Sequence, residues 1–507
     1  MIKISNTVKF LAVLILGSLA GIIGILLLVS RSGKETRRGI KQKSQEFMNK
    51  IRLAREPAAE PNLKKISNWG NYPQVQVKFH EFEDIETLRR LVDQSEQMIA
   101  RGNGRCYGDS ALAPQVISSL RYNKFLAFDR DKGIIRCQSG VLLSEILDVI
   151  VPQGWFLPVT PGTKLITVGG AIASDVHGKS QHKAGNFSDH LIDMEIMVGD
   201  GSIVRCSHTE NTELFLTTCG GMGLTGVILN ATMQLIPIET AYIRQESIKI
   251  HNFDHMMDIF EESEDWSYSL AWIDCLAQGQ QLGRGYLMRG EHAKVDELAT
   301  VKQRQNPLVP KKRLKLNVPF NFPSFTLNNY TITAFNTALY LKHPNDVVKS
   351  IVDYDTFFYP LDTVQNWNRI YGKRGFTQYQ FILPKSVSRE GMHRILNRIA
   401  RSRRYVPFVA VLKLYRQQNG YLPFGIEGFS LALDFAIKPG LFEFLDELDQ
   451  IVLEYGGRLY LTKDVRMNKT MFTQSYPNVE RFINNVRDLD HGHKFKSFQS
   501  DRVGITQ

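Results

Sequence analysis

The stretch Arg101-Gly-Asn-Gly-Arg-Cys-Tyr-Gly-Asp109 follows a short apolar run and holds three glycines in nine residues. The two glycines that flank Asn103 have no Cβ, so their backbone N–H groups can converge on an anion. A glycine-rich stretch of this length is also typical of an ordinary turn, and alone it does not separate the two interpretations. Two further glycine-rich segments, 162–178 and 220–226, favour a large phosphate-bearing cofactor enclosed by the fold.

The common phosphate-binding motifs do not describe these loops. No G-x-x-x-x-G-K-[ST] occurs, which excludes a P-loop NTPase. The dinucleotide pattern G-x-G-x-x-G fails because Gly102-Asn-Gly104 is followed by Gly108, one residue too late. Neither H-E-x-x-H nor G-x-S-x-G is present, so these metalloprotease and hydrolase signatures are absent as well.

The positive charge of the chain is concentrated at its N-terminus. The 507 residues carry a net charge of +11, and residues 1–55 hold 11 Lys and Arg against 2 acidic residues. The remaining chain has 51 basic and 49 acidic residues, which argues against a nucleic-acid-binding body. The length allows about two or three domains.

The cysteines indicate neither a disulfide framework nor a zinc site. There are five, an odd number with no C-x-x-C spacing: Cys106, Cys137, Cys206, Cys219 and Cys275. This usage favours a reducing compartment, and we predict no metal site.

The N-terminus predicts a membrane anchor. After a tail of residues 1–9, the segment 10–30 begins with twenty residues that carry no charge, the length that crosses a bilayer core. A cleaved signal peptide is the alternative, but no A-x-A site follows the apolar run. Basic residues are concentrated just after it, so we predict a single-pass membrane protein whose catalytic body faces the cytoplasm. Residues 31–65 are predicted to form a basic tether.

The pattern of predicted elements in the chain after the tether changes near Pro237. Before it, a strand at Val75–Phe79, a helix at Ile85–Gln94 and a strand at Met98–Arg101 predict a β-α-β-like start. After it, residues 241–460 contain longer, more aromatic strand-like runs, which predict a second domain with a broad antiparallel sheet.

Several motifs together carry a resemblance to a known family. They are the first loop (101–109), Pro161-Gly-Thr163, Thr167-Val-Gly-Gly170, His177-Gly-Lys179 and Gly220-Gly-Met-Gly-Leu-Thr-Gly226. The chain resembles the FAD-linked oxidoreductases of the vanillyl-alcohol oxidase / p-cresol methylhydroxylase superfamily, from about residue 66 almost to the C-terminus. The resemblance implies an α+β fold with a two-part PCMH-type FAD-binding domain, residues 66–240 and 458–507. A substrate-binding domain, residues 241–457, would be inserted between the two parts.

The resemblance also implies the residues that bind FAD. In this sequence they are Arg101, Gly102, Asn103, Gly104, Arg105, Cys106, Tyr107, Gly108, Gly162, Thr163, Thr167, Gly169, Gly170, Ser174, His177, Val227 and Tyr460. Some relatives bind FAD covalently through a histidine of the first loop, where this chain has Arg105. We therefore expect non-covalent FAD, with a thioether to Cys106 as the disfavoured alternative.

The implied reaction is the oxidation of a secondary alcohol of a sugar or polyol by hydride transfer to flavin N5. A polyprenyl-phosphate-linked pentose is the candidate substrate, and a separate NAD(P)H-dependent reductase would complete an epimerisation. The alternatives are an aldonolactone or alditol oxidase, and a membrane sterol-type reductase with the same FAD fold. A non-catalytic scaffold is a third interpretation, but it predicts loss of cofactor loops that are intact here.

Five residues are the candidate catalytic groups: Lys463, Lys413, His177, Lys179 and Gln380. Four of them have a structural alternative. Lys463 would otherwise be a solvated turn lysine, and Lys413 a residue that extends to solvent at a sheet edge. Gln380 would otherwise pair with Gln378 at an edge, and His177 would be a packed core histidine.

The family pattern is not kept everywhere. The resemblance places Ala432 where the family has an active-site cysteine, so inhibitors directed at that thiol should fail. Ser430 replaces an asparagine and Phe358 a tyrosine. These positions belong to the substrate pocket, and they leave the identity of the sugar open.

Overall fold

A computed structural model describes residues 63–311, 314–343, 345–490 and 492–506. The predicted tail and anchor, and all but the last three residues of the tether, lie outside the described residues. Within the part of the chain that is described, no helix combines the length and the apolar character needed to cross a bilayer. At the end of the predicted tether, Leu63–Ile66 forms a strand that pairs antiparallel with residues 75–78 of the body.

Two sheets and a short strand pair make up the N-terminal part. Its strands are β1 Leu63–Ile66, β2 Val75–Glu81, β3 Ile99–Arg101, β4 Gln115–Ser118, β5 Phe125–Asp129, β6 Ile134–Gln138, β7 Trp155–Phe156, β8 Leu191–Met197, β9 Ile203–Cys206, β10 Val227–Gln234 and β11 Ile236–Pro237. The first sheet has the order β1-β2-β4-β3, and the second is antiparallel with the order β5-β6-β10-β8-β9. Strands β7 and β11 form the separate pair.

The helices of this part are α1 Ile85–Gln94, α2 Leu143–Ile150, α3 Val168–Ala173, α4 Gln181–Ala184 and α5 Thr212–Thr218. Helix α1 begins where the Asp84 side chain accepts a hydrogen bond from the Thr87 N–H, and it buries Leu88 and Val92, one turn apart. The predicted strand-helix-strand order at the start is confirmed. Strand β4 lies between β2 and β3 and runs parallel to both.

A broad antiparallel sheet dominates the second half, as the sequence predicts. The strands are β12 Tyr242–Ile250, β13 Tyr268–Ile273, β14 Gly285–His292, β15 Leu316–Asn317, β16 Val347–Asp353, β17 Val364–Gln365, β18 Phe376–Pro384, β19 Ala410–Tyr415, β20 Gly428–Ala436 and β21 Arg458–Leu459. Eight of them form one sheet, in the order β16-β12-β14-β13-β19-β20-β18-β21. The boundary between the substrate-binding domain and the second part of the FAD-binding domain, at 457/458, stays a prediction. Strand β21 follows this boundary and pairs with β18, which precedes it.

The helices of the second half are α6 Phe253–Glu261, α7 Val301–Gln305, α8 Asn329–Leu341, α9 Tyr354–Phe358, α10 Lys385–Ser402, α11 Leu441–Glu454, α12 Lys469–Ser475, α13 Val479–Leu489 and α14 Phe498–Arg502. The C-terminal segment returns to the first sheet, where the Met98 N–H donates to the Lys494 carbonyl at 2.7 Å. One buried apolar cluster contains Ile99 of β3 together with Phe429 and Leu431 of β20. The two halves therefore share a core, and the candidate site lies between them.

Candidate active site

A cavity of about 330 Å³ lies between the glycine-rich loops and the eight-stranded sheet. All five predicted catalytic residues line it. The predicted cofactor residues also line it, with the exception of Gly108. A Cβ at Gly108 would stand 1.8 Å from the backbone oxygen of Asp464, so close packing of two chain segments explains this glycine.

The first loop packs directly on the second. A Cβ at Gly102 would lie 2.1 Å from Thr167 Oγ1. Thr167 caps helix α3, and its hydroxyl accepts a hydrogen bond from the Gly170 N–H at 3.2 Å. Asn103 donates to the Leu165 carbonyl at 2.7 Å and thereby fixes the loop. This wall of the cavity consists of backbone and small side chains.

Three buried polar atoms on this side of the cavity have no protein partner. They are Arg101 Nε, Ser139 Oγ and His177 Nδ1, and all three residues line the cavity. A buried polar atom without a partner costs about 1–3 kcal/mol, so such atoms are usually satisfied by a ligand or water. A flavin nucleotide has both donors and acceptors to offer them, and the residues present fit the group.

The rim of the first loop contains a cation on an aromatic ring. The Arg105 guanidinium lies 4.0 Å from the Trp69 ring centroid. Asp362 accepts hydrogen bonds from the Thr163 hydroxyl at 2.8 Å and from the Lys164 N–H at 2.9 Å.

Burial raises the pKa of the Cys106 thiol, which follows Arg105 in the first loop, so a protonated, weakly nucleophilic sulfur is expected there. Non-covalent binding stays a prediction.

Lys463, which contacts the first loop, and Asp434 of β20 are ionisable groups of the same cavity. Lys463 Nζ lies 3.9 Å from the Tyr107 ring centroid. Burial lowers the pKa of Lys463 to about 7, an effect that the charge of Asp434 opposes. Burial also raises the pKa of the Asp434 carboxyl to about 7. Both groups can therefore change protonation state near neutral pH.

Hydrogen bonds fix the orientation of Asp434. Gln378 Nε2 donates to one carboxylate oxygen at 2.6 Å, and the Tyr371 hydroxyl donates to the other at 3.2 Å. Gln378 lies directly opposite Asp434 in the register of β18 and β20. Asp434 is not among the catalytic residues predicted from the sequence. One pattern could have identified it: a lone acidic residue in an otherwise apolar strand. A lone lysine in an apolar strand is the pattern that identified Lys413.

His177 is held as a neutral imidazole. Gln380 Nε2 donates to His177 Nε2 at 3.2 Å, which assigns the ring proton to Nδ1. Burial, with the charges of Lys413 and Lys463, lowers the pKa of His177 well below its usual range. The ring packs on Tyr460 with a centroid distance of 4.8 Å. Tyr460 in turn donates to the Ser174 carbonyl at 2.7 Å.

Two further lysines line the cavity. Lys413 does not extend to solvent at a sheet edge, because β19 lies between β13 and β20. Burial lowers its pKa to about 8. Burial and the charge of Lys413 lower the pKa of Lys179 to about 7. Lys179 donates to the Phe357 carbonyl, and its Nζ lies 4.3 Å from the Phe357 ring centroid.

The positions that depart from the family pattern lie at the same wall. Ala432 lines the cavity and faces Gln380 in the register of β18 and β20. The Ser430 hydroxyl is buried and accepts from Gln380 Nε2 at 3.3 Å. Phe358 also lines the cavity. The expectation about thiol-directed inhibitors stays a prediction.

Comparison with known proteins agrees with this geometry. A family model described as an FAD binding domain matches residues 73–207. Decaprenylphosphoryl-beta-D-ribose oxidase of Mycolicibacterium smegmatis is 34% identical over 453 residues, which cover 87% of this chain and 98% of that protein. Human Delta(24)-sterol reductase is 34% identical over 112 residues, 22% of each chain. L-gulonolactone oxidase of Scyliorhinus torazame is 26% identical over 188 residues, 36% of this chain and 42% of that protein.

The fold, the glycine-rich loops and the matched domain define an FAD-linked oxidoreductase that acts on CH–OH groups. The match over almost the whole length of one relative narrows the class. The chain belongs to the decaprenylphosphoryl-β-D-ribose oxidase family of the vanillyl-alcohol oxidase / p-cresol methylhydroxylase superfamily.

Proposed function

We propose that this chain uses FAD to oxidise a secondary alcohol of a sugar, with a polyprenyl-phosphate-linked pentose as the substrate. One observation carries the proposal. The ionisable groups Lys413, Asp434 and Lys463 face the same cavity as the glycine-rich loops. An oxidation of a polar, hydroxyl-rich substrate needs such groups beside the cofactor, whereas an apolar substrate does not.

The reaction requires a proton acceptor from the protein. Alcohol oxidation removes a hydride from carbon and a proton from oxygen, and bound FAD supplies the hydride acceptor. Lys463 has a pKa of about 7, so a substantial fraction is neutral near neutral pH. We assign proton acceptance from the substrate hydroxyl to this neutral amine, with Asp434 as its charged neighbour.

The remaining polar groups orient the substrate. The amide of Gln380 is fixed by His177 and Ser430, so its oxygen is available to a sugar hydroxyl. Lys413 is half-buried on the same wall, and a protonated amine there would bind a second hydroxyl or stabilise developing negative charge on oxygen. His177 is the flavin-side member of this network.

The length of the match supports this substrate class over the alternatives. The oxidase named for a decaprenylphosphoryl ribose is matched over 98% of its length. The lactone oxidase and the sterol reductase are matched over 42% and 22% of theirs. Since the substrate wall of this chain lies in its second half, a match over the whole length bears more directly on the substrate.

Anaerobic flavin bleaching tests the proposal. The full chain is purified in detergent, its flavin spectrum is recorded, and a lipid-linked pentose, a soluble polyol, an aldonolactone and a sterol are added in turn. Bleaching by the lipid-linked pentose alone is the expected result. Bleaching by the polyol, the lactone or the sterol instead would replace the substrate assignment, and a preparation without flavin bands would overturn the whole proposal.

A membrane anchor at residues 10–30 and a separate NAD(P)H-dependent reductase remain parts of the proposal. The anchor would keep the cavity near a lipid-borne substrate. A reductase would return the oxidised sugar to an alcohol of the opposite configuration, a step that this chain does not supply in the proposed scheme.

A further inference from the structure

Residues 301–343, here called the outer segment, differ in composition from the rest of the body. They contain seven Lys and Arg and no Asp or Glu. The rest of the body, 56–300 and 344–507, holds 44 basic and 49 acidic residues. Of the fifteen large apolar side chains that are exposed among the described residues, seven also lie in this segment. The segment is therefore both basic and apolar on its surface.

Apolar residues of the outer segment alternate between two sides. Val318, Phe322, Leu327 and Ile332 are buried, and they pack in one cluster with Tyr107 and Trp367. The residues between them are exposed: Phe320 by 53%, Phe325 by 69% and Tyr330 by 85%. The inward set satisfies the packing of the fold, so the outward aromatic set is not explained by the core.

Helix α8 continues the outward apolar surface. Its thirteen residues include no charged side chain. Tyr330, Ala334, Ala338 and Leu341 are all exposed and share one face, because they are spaced by four, four and three residues. A helix that faces water normally carries charges on its exposed side. This face instead has the composition of a surface that contacts lipid.

We propose that the outer segment is a membrane-docking surface that inserts shallowly into a bilayer with anionic headgroups. Phe320, Phe325 and Tyr330 would lie at the level of the headgroups and upper acyl chains, where aromatic side chains are favoured. The exposed lysines 302, 311 and 315 would contact the anionic headgroups. The charge of the segment selects a lipid surface over a second copy of the same segment, which would repel it.

This surface also explains how a lipid-borne substrate reaches the cavity, a point that rests on the proposed function. Tyr107 and Trp367 line the cavity and contact the buried side of the outer segment. The outer segment and the cavity therefore share these two side chains. A substrate whose polyprenyl chain stays in the membrane would present its sugar at this position.

Depth-dependent fluorescence quenching tests the docking surface. Phe325→Cys is labelled with an environment-sensitive fluorophore, and the full chain is reconstituted into phosphatidylcholine/phosphatidylglycerol vesicles that contain brominated lipids. Phe125→Cys is the matched control, because Phe125 is an exposed phenylalanine of β5 outside the outer segment. Labelled wild-type protein corrects for the native cysteines.

The expected result is quenching by brominated acyl chains of the label at 325 and not of the label at 125. Exchange of Lys302 and Lys315 to glutamate should weaken the quenching at 325 on anionic vesicles. Equal quenching at the two positions would overturn the proposal. The proposal would also be overturned if, in detergent, a second copy of the chain or the N-terminal segment covered the label at 325 and shielded it from solvent. Quenching does not depend on turnover, so failure of the proposed reaction would leave this result unchanged.

Discussion

The two walls of the cavity are built in different ways. The cofactor wall consists of loops that meet through glycines, as where Gly102 and Thr167 touch, and it presents backbone and small side chains. The substrate wall consists of long paired strands that present ionisable side chains, among them Lys413 and Asp434. We predict that the first wall recognises a large ligand through close approach and that the second provides groups whose protonation can change. Within one site, one wall thus provides a close-fitting surface and the other provides ionisable groups.

The C-terminal segment joins the two walls. Arg502 forms ion pairs with Asp109, at the end of the first loop, and with Asp464, the residue after Lys463; the distances are 2.7 and 2.9 Å. The position of Lys463 relative to the flavin loops therefore depends on a residue near the end of the chain. The comparison between the walls suggests four experiments.

Lys463→Ala is expected to have the largest effect. Loss of the proton acceptor should lower kcat on a confirmed substrate roughly 10²- to 10⁴-fold, while the flavin content stays unchanged. Stopped-flow flavin reduction measures the step directly. Lys373→Ala, which removes an exposed lysine, is the control and should leave kcat unchanged. If Lys463→Ala reduced its flavin as fast as the wild type, Lys463 would have no role in the chemistry.

Arg502→Gln should destabilise both walls together. The substitution leaves two buried carboxylates without their cation, which costs about 3–5 kcal/mol of the free energy of unfolding. Denaturant unfolding of the flavin-loaded protein measures this value. Arg481→Gln breaks an exposed ion pair with Glu213 and should cost at most about 1 kcal/mol. Similar losses in the two variants would show that Arg502 does not join the walls.

Gly102→Ala should affect only the cofactor wall. The added methyl group overlaps Thr167 Oγ1, and overpacking of about 1–3 kcal/mol corresponds to roughly 5- to 150-fold weaker FAD binding. Gly492→Ala is the matched control, because a Cβ there would meet no atom within 4 Å and Gly492 does not line the cavity. Titration of the apoprotein with FAD gives both constants. Equal affinities would refute the close-approach explanation.

Asp434→Asn should shift a pH profile with a smaller effect on maximal rate. Asp434 raises the pKa of Lys463 by its negative charge, so its removal lowers that pKa. A base acts in its neutral form, so the rate of flavin reduction rises as pH increases through the pKa of Lys463. In the variant this rise should occur at lower pH, by roughly one unit. A shift in the opposite direction would show that Lys463 is not the titrating base.

The sequence predicted that the glycine-rich loops come together at one site, and the loops do line one cavity; Gly108, which does not line it, is the exception. The loops are short and continuous in sequence, and their glycines mark close approach whatever the partner is. Gly108 has the same local signal, yet its close neighbour is the Asp464 backbone. A glycine pattern indicates that another group packs closely against the backbone, but it does not identify that group.

The substrate wall depended on strand pairing. Asp434 faces Gln378 because β18 and β20 pair in one particular register, and a shift of one strand by one residue would place the two side chains on opposite faces of the sheet. Each strand taken alone shows only a polar or charged residue in an apolar run. The glycines and the length of the apolar runs, which are local properties, thus indicated a phosphate-bearing cofactor and a broad antiparallel sheet. Which ionisable groups meet, and how far burial shifts their pKa values, was decided by the tertiary structure, because desolvation and charge interactions exist only after distant segments pack together.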